Sequence, residues 1–152
     1  MKINPRSILC LLLPLTQMHA LANSAPLIVY GQLISKFNAT ISLADKVYWN
    51  ETEDRSFVHF KEHEVVSETE YDVNGNFIAT VKYYKSPDLL PRRLALELRK
   101  KFPDKTIFGI TEITTETETC YYIKLEDSKK WITVKGSSNG FLTVVDKLNK
   151  QF

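Results

Sequence analysis

The sequence predicts an α+β protein of two tandem repeats, each one helix packed on an antiparallel three- to four-stranded meander. Three observations predict it. Segments recur without gaps at a constant offset, a leucine stripe has helical spacing, and segments of alternating polarity are separated by Asn-Gly turns.

The offset is 65 positions: Lys36-Phe37 matches Lys101-Phe102, Glu51-Thr52-Glu53 matches Glu116-Thr117-Glu118, Asn74-Gly75 matches Asn139-Gly140, and Lys82 and Lys85 match Lys147 and Lys150. Apolar residues keep the same register, Leu33 with Leu98, Val58 with Ile123, Phe60 with Leu125 and Phe77 with Leu142.

The chain starts with Lys2 and Arg6 ahead of an apolar run, Ile8 to Leu15, and then Ala20-Leu21-Ala22. This is the pattern of a secretory signal peptide cleaved near Ala22. The run is broken by Pro14 and is shorter than the roughly 20 residues a membrane-spanning helix needs. Cys10 sits inside the run, whereas a lipidation cysteine would close it. The expected organisation is therefore a signal peptide over 1–22, a first repeat over 23–87 and a second over 88–152, with no membrane span after cleavage.

Each repeat is expected to open with a helix. In "LPRRLALELRKKFP", Leu90, Leu94, Leu98 and Phe102 form one stripe, while Arg92, Arg93, Arg99 and Lys100 stay wet. Pro91 suits a helix start, Pro103 stops the run, and the late cations complement the helix dipole. The counterpart "LIVYGQLISKFN", residues 27–38, is less regular and is read as a helix by analogy with the second copy.

The predicted strands are "KVYWN", "SFVHFKE", "EVVSETEYD" and "NFIATVKYY", then "TIFGITEITT", "CYYIKLED", "KKWITVK" and "FLTVVDKL". Tyr121, Ile123 and Leu125 alternate with Tyr122, Lys124 and Glu126, the mark of a half-buried antiparallel strand. Asn74-Gly75 and Asn139-Gly140 supply the positive φ of hairpin turns.

Removing Lys2 and Arg6 from the 20 basic residues leaves 18 against 18 acids, a balance that does not suggest a nucleic-acid partner. Of the 2 cysteines, Cys120 alone remains after cleavage, so stability rests on packing rather than on an internal disulfide. Cys120 has no cation beside it to activate the thiol and is expected to be a buried or half-buried strand residue.

The order "VYWNETEDRSFVHF", "YDVNGNFIATVKYY", "LLPRRLALELRKKFPDK", "YYIKLED", "WITVK" and "NGFL" resembles the PepSY-like family of exported bacterial proteins, across essentially the whole mature chain. The most specific stretches are Trp49 before a charged hairpin, the Tyr71-to-Gly75 turn, and Leu90-Pro91. The resemblance implies two tandem helix-plus-sheet units, similarity in fold to the β-lactamase-inhibitor protein, and a periplasmic or surface location, typically in Bacteroidetes-type bacteria. It brings no characterised activity.

One helix per unit leaves part of each meander uncovered, so the strand aromatics are the strongest functional lead. By alternation from a core pair Val58/Phe60, the opposite face carries Phe57, His59 and Lys61; in the second copy it carries Tyr122 and Lys124. The candidate partner-binding residues are Trp49, Phe57, His59, Tyr122, Lys124 and Trp131, because aromatic side chains bury much area at little entropic cost. The bland alternative is that most of these rings pack under the helices.

Other constellations point to ordinary surface. In "HFKEHE", His59 and His63 on a strand would stand about 13 Å apart, too far for one metal ion. The acids around Glu112, Glu116 and Glu118, and Glu68, Glu70 and Asp72, alternate as on a solvated strand face rather than converging as calcium ligands. No GxSxG, HExxH, phosphate-cradling glycine loop or CxxC is present. The expectation is therefore a non-catalytic exported module without cofactor or metal, binding an envelope protein or peptide through the open face of its sheet. The alternative is a small-ligand carrier or sensor with a pocket between helix and sheet.

Overall fold

The computed structural model describes residues 45–151, together with Gly31 and Phe37. The strands are β1 (Asp45–Glu51), β2 (Arg55–Glu62), β3 (Val65–Asp72), β4 (Phe77–Tyr84), β5 (Thr106–Thr115), β6 (Thr119–Glu126), β7 (Lys130–Ser137) and β8 (Leu142–Asn149). Between β4 and β5 lie a 3-10 turn, Pro87–Leu89, and the helix α1, Arg92–Lys101.

All eight strands form one antiparallel sheet in the order β1-β2-β3-β4-β5-β6-β7-β8. This corrects the expected architecture of two tandem repeats, each one helix packed on its own three- to four-stranded meander. Residues Ala79–Tyr84 of β4 pair with Ile110–Thr115 of β5 in unbroken register, so the two groups of four strands share a backbone ladder. The physical reason is that two separate meanders would leave the edges of β4 and β5 with unpaired N–H and C=O groups, which joining satisfies. Of the elements whose bounds are described, α1 is the one α-helix. The helix expected over residues 27–38 lies outside the described residues except for Gly31 and Phe37, both with helical backbone, and the signal segment 1–22 lies outside them entirely.

Helix α1 forms where the leucine stripe indicates. Leu90, Leu94 and Leu98 are buried against Tyr84, Ile110, Tyr121, Ile123, Leu125, Ile132 and Val134. Pro91 takes the N-cap position, and the helix ends where the N–H of Phe102 donates to the carbonyl of Leu98 at 2.9 Å. Arg99, Lys100 and Lys101 occupy the last turn, where the helix dipole favours positive charge. A second, smaller cluster lies at the other end of the same sheet face: Phe37, Val58 and Phe60 are buried, with Trp49 and Tyr71 packed against them. The Phe37 ring meets Phe60 and Trp49 edge-on at 5.2 and 5.5 Å between centroids. The face carrying both clusters is the inner face; no described helix packs on the other, outer face.

The turns follow from their residues. Gly75 and Gly140 have φ of 79° and 90° in the β3–β4 and β7–β8 connections, a conformation costly for a side chain with a Cβ. In the β3–β4 turn, one oxygen of Asp72 accepts from the N–H of Asn74 and Asn76 at 2.9 and 2.8 Å. In the β6–β7 turn, Asp127 accepts from the N–H of Lys129 and Lys130, both at 2.7 Å, and from the Lys105 ammonium.

These donors hold both carboxyls below their ordinary pKa: for Asp72 chiefly Asn76, for Asp127 chiefly Lys105 and then the two backbone groups. A folded pKa below the unfolded one stabilises the fold at neutral pH. That contribution fades as pH falls below about 4 and the carboxyl protonates. Asp127→Asn is accordingly expected to lower the midpoint of thermal unfolding at about pH 7 and to lower it much less at about pH 2. An equal loss at both values would show that the aspartate acts through shape rather than charge.

Both edges of the sheet are irregular. In β1 the register slips between Asp45 and Tyr48, with Lys46 at a positive φ of 56°. In β8 Val145 is the extra residue between the pairs Thr133↔Asp146 and Val134↔Val144. Bulges at both edges discourage the pairing of further strands.

Candidate functional site

Cross-strand register decides which side chains share a face. Tyr48, His59, Glu68, Val81, Ile113 and Cys120 stand opposite one another from β1 to β6, forming a row on the outer face. A second row runs through Lys61, Val66, Tyr83, Thr111, Tyr122 and Lys135.

Five of the six candidate partner-binding residues fall on this face in two patches. Phe57 and His59 come from β2. The His59 ring stacks on Tyr48 at 4.6 Å, and its Nδ1 lies 3.1 Å from a Glu68 carboxylate oxygen. Beside them Arg55 pairs with Glu70. Tyr122 and Lys124 come from β6, roughly 19 Å away across four strand spacings, and Trp131 from β7, one spacing further. There the Lys124 ammonium lies 5.1 Å from the Trp131 ring centre and 5.6 Å from that of Phe108, and Lys135 lies 5.8 Å from the Tyr122 ring centre. Trp131 is fixed from its rim as well, its Nε1–H donating to Glu126 at 3.2 Å while Lys150 lies 5.1 Å from its ring centre.

The sixth residue, Trp49, is on the other side. It stands opposite Val58, a core residue, so its ring joins the Phe37 cluster on the inner face. Phe108, which sequence reasoning missed, is an outer-face residue with 48% of its surface exposed. It is the extra residue of a bulge between Ile107 and Gly109, and a glycine inside a strand pattern is the available signal for such a bulge. Val66 and Tyr83 add exposed apolar surface. Cys120 is half-buried and free.

The inner face holds a feature of a different kind. Between the Phe37 cluster and the start of α1 an open cleft of about 890 Å³ lies over β3, β4 and β5. Its floor carries Ser67, Thr69, Thr80, Lys82 and Glu112, with the Thr69 and Thr80 hydroxyls bonded at 3.0 Å. Phe37, Phe60, Tyr71 and Phe77 line one end, and Leu89, Leu90, Pro91 and Tyr121 the other.

Glu112, expected on a solvated face, is in fact directed inward. Its side chain is 15% exposed, accepts from the Tyr84 hydroxyl at 2.9 Å and lies 3.6 Å from the Lys82 ammonium. Burial, reinforced by the Glu112 carboxylate, pushes the Tyr84 hydroxyl pKa far above its ordinary value of 10.0, so it remains a neutral donor. Among the described residues no group of three or more His, Cys, Asp or Glu side chains is placed to hold a metal ion, and no helix among them is long and apolar enough to cross a membrane.

No protein-family profile and no curated protein matches the sequence. Solved structures match the fold. A BLIP-like protein from Bacteroides fragilis superposes with a TM-score of 0.60 at 13% identity, over 78% of this chain and 84% of that one. The fold is BLIP-like. Two DUF2874 family proteins share it: one from Bacteroides ovatus, with TM-score 0.60 and 15% identity over 78% of this chain and 86% of that one, and one from Bacteroides uniformis, with 0.58 and 10% over 77% and 86%. The similarity in fold to the β-lactamase-inhibitor protein that the family resemblance implies is thus matched at the level of a BLIP-like fold. The BLIP-like sheet here has one face bearing α1 and a cleft, and an outer face that no described helix covers.

Proposed function

We propose that the protein is an exported, non-catalytic binding or inhibitory module of the PepSY-like type, which holds a protein or peptide of the cell envelope on the outer face of its sheet. The signal pattern ending near Ala22 supports export to the periplasm or beyond. The observation that carries the reading is the outer face, which no described helix covers, set with Phe57, His59, Tyr122, Lys124 and Trp131, with Phe108 beside them. Eight strands at about 4.8 Å spacing give a surface wide enough for a standard interface of about 800 Å² per partner. Rings already fixed by neighbouring side chains lose little further freedom when a partner covers them. Trp49 is not among the contact residues of this reading, because its ring lies on the inner face.

The experiment is retention of envelope proteins on immobilised wild type and on a variant with Phe57, His59, Tyr122 and Lys124 all changed to serine. Leu96→Ser, at an exposed position on α1, is the control. A partner retained by wild type and by the control, and lost by a quadruple variant with unchanged circular dichroism, is the expected result. Equal retention by all three forms would remove the outer face as the interface.

A second reading, a small-ligand carrier or sensor, is favoured by the cleft on the inner face, whose volume falls within the range of pockets that enclose drug-sized molecules.

A further inference from the structure

We infer that the inner-face cleft takes an amphipathic organic cation: an amine or quaternary ammonium group carried on an aromatic or aliphatic body. The inference rests on the second reading above, that the cleft is a ligand site, and is independent of what the outer face binds.

Size comes first. A cleft of about 890 Å³ accommodates a molecule with several rings or a medium-length chain. Its lining is aromatic at both ends: Phe37, Phe60, Tyr71 and Phe77 at one, Tyr84 and Tyr121 at the other. Such a lining receives an apolar body, and ring faces also attract positive charge.

The charges then choose the sign. Among the described residues, two acidic side chains and one basic side chain line the cleft: the carboxylates of Glu62 at the rim and Glu112 on the floor, against the ammonium of Lys82. Their sum is one negative charge. Lys82 and Glu112 are 3.6 Å apart, but they are not equally placed. The Lys82 side chain is 42% exposed and keeps water, whereas that of Glu112 is 15% exposed.

A carboxylate with two oxygens can accept about four hydrogen bonds. Glu112 has the Tyr84 hydroxyl on one oxygen and Lys82 near the other, so acceptor capacity remains. An incoming ammonium would meet that carboxylate with ring faces around it. An incoming carboxylate would meet Glu112 itself, with Glu62 at the entrance.

The test titrates the purified protein with thioflavin T, a cationic aromatic dye, and with anilinonaphthalene sulfonate, an anionic aromatic of similar size. Two variants accompany the wild type. Glu112→Gln removes the charge and keeps an acceptor for Tyr84. Thr80→Trp fills the floor of the cleft without touching the outer face. The expected result is saturable binding of one thioflavin T per chain, tighter than that of the sulfonate. Glu112→Gln should weaken it about tenfold, and Thr80→Trp should abolish it.

Tighter binding of the sulfonate, abolished by Thr80→Trp and not weakened by Glu112→Gln, would overturn the cation assignment and leave the ligand-site reading standing. Absence of binding by either dye, or binding that Thr80→Trp leaves intact, would overturn both. If Thr80→Trp does not fold, the effect of Glu112→Gln on the preference between the two dyes decides the charge assignment alone.

Discussion

Leu94→Ala is expected to cost about 3 to 4 kcal/mol of folding free energy, within the range for deleting a fully buried leucine whose surroundings relax only in part. Leu94 has no exposed surface and is the central residue of the stripe that joins α1 to the sheet. The loss should not stay within the strands under the helix. The β4–β5 ladder is continuous, so the unfolding of one group of four strands strips the edge of the other.

The chain's 2 tryptophans, Trp49 on β1 and Trp131 on β7, report on the two ends of the sheet. In urea, single-tryptophan forms made with Trp49→Phe and Trp131→Phe should show coincident transitions, and Leu94→Ala should move both together. A shift confined to the Trp131 signal would mean that the two groups of strands unfold separately.

The second large effect concerns Gly136, buried on β7 beneath α1. A Cβ there would stand 2.7 Å from Leu94 Cδ1, 3.3 Å from Cδ2 and 3.4 Å from Leu142 Cδ2. Gly136→Val therefore forces the leucine off its rotamer, at an expected cost of about 2 kcal/mol, the usual scale of overpacking. The same crowding predicts an interaction. In Leu94→Ala the δ-methyl groups are gone, and the valine occupies part of the space they leave. The double variant should then be less destabilised than the sum of the two single ones by about 1 to 2 kcal/mol, as measured by urea denaturation of all four forms. Simple additivity would mean that the two side chains do not compete for the same volume.

Much of this fold was legible because its signals are local. The ten residues of β5 coincide with the predicted strand "TIFGITEITT", and β2, β4 and β6 differ from their expected stretches by a residue at one or both ends. Alternation and turn residues act over a few positions, and so does the four-residue spacing of Leu90, Leu94 and Leu98. The assignment of Val58 and Phe60 to the core, and of Phe57 and His59 to the opposite face, needed only the period of a strand.

What could not be read depends on pairing between distant segments. Nothing in β4 or β5 states that they pair across the intervening helix, so the joining of the two meanders into one sheet could not be read. The face of Trp49 depends on how β1 registers against β2, which the short connection around Thr52 and Asp54 fixes in three dimensions. Glu112 was misplaced for a different reason. Its strand carries apolar residues on both faces, Ile110 inward and Ile113 outward, so alternation gave no unique side for the acid between them. A pocket between helix and sheet is the alternative reading, but its lining residues could not be named, since its walls come from segments that meet only once the sheet is whole.

The strict sequence order of the strands bears on how the protein is made. Each strand pairs with its predecessor, so most connections close short loops, and the step from β4 to β5, which spans α1, is the one long closure among them. A polypeptide delivered N-terminus first through an export channel can lay each new strand on an edge that already exists, without waiting for its own far end. In such a delivery β1 would be laid down first and β8 last.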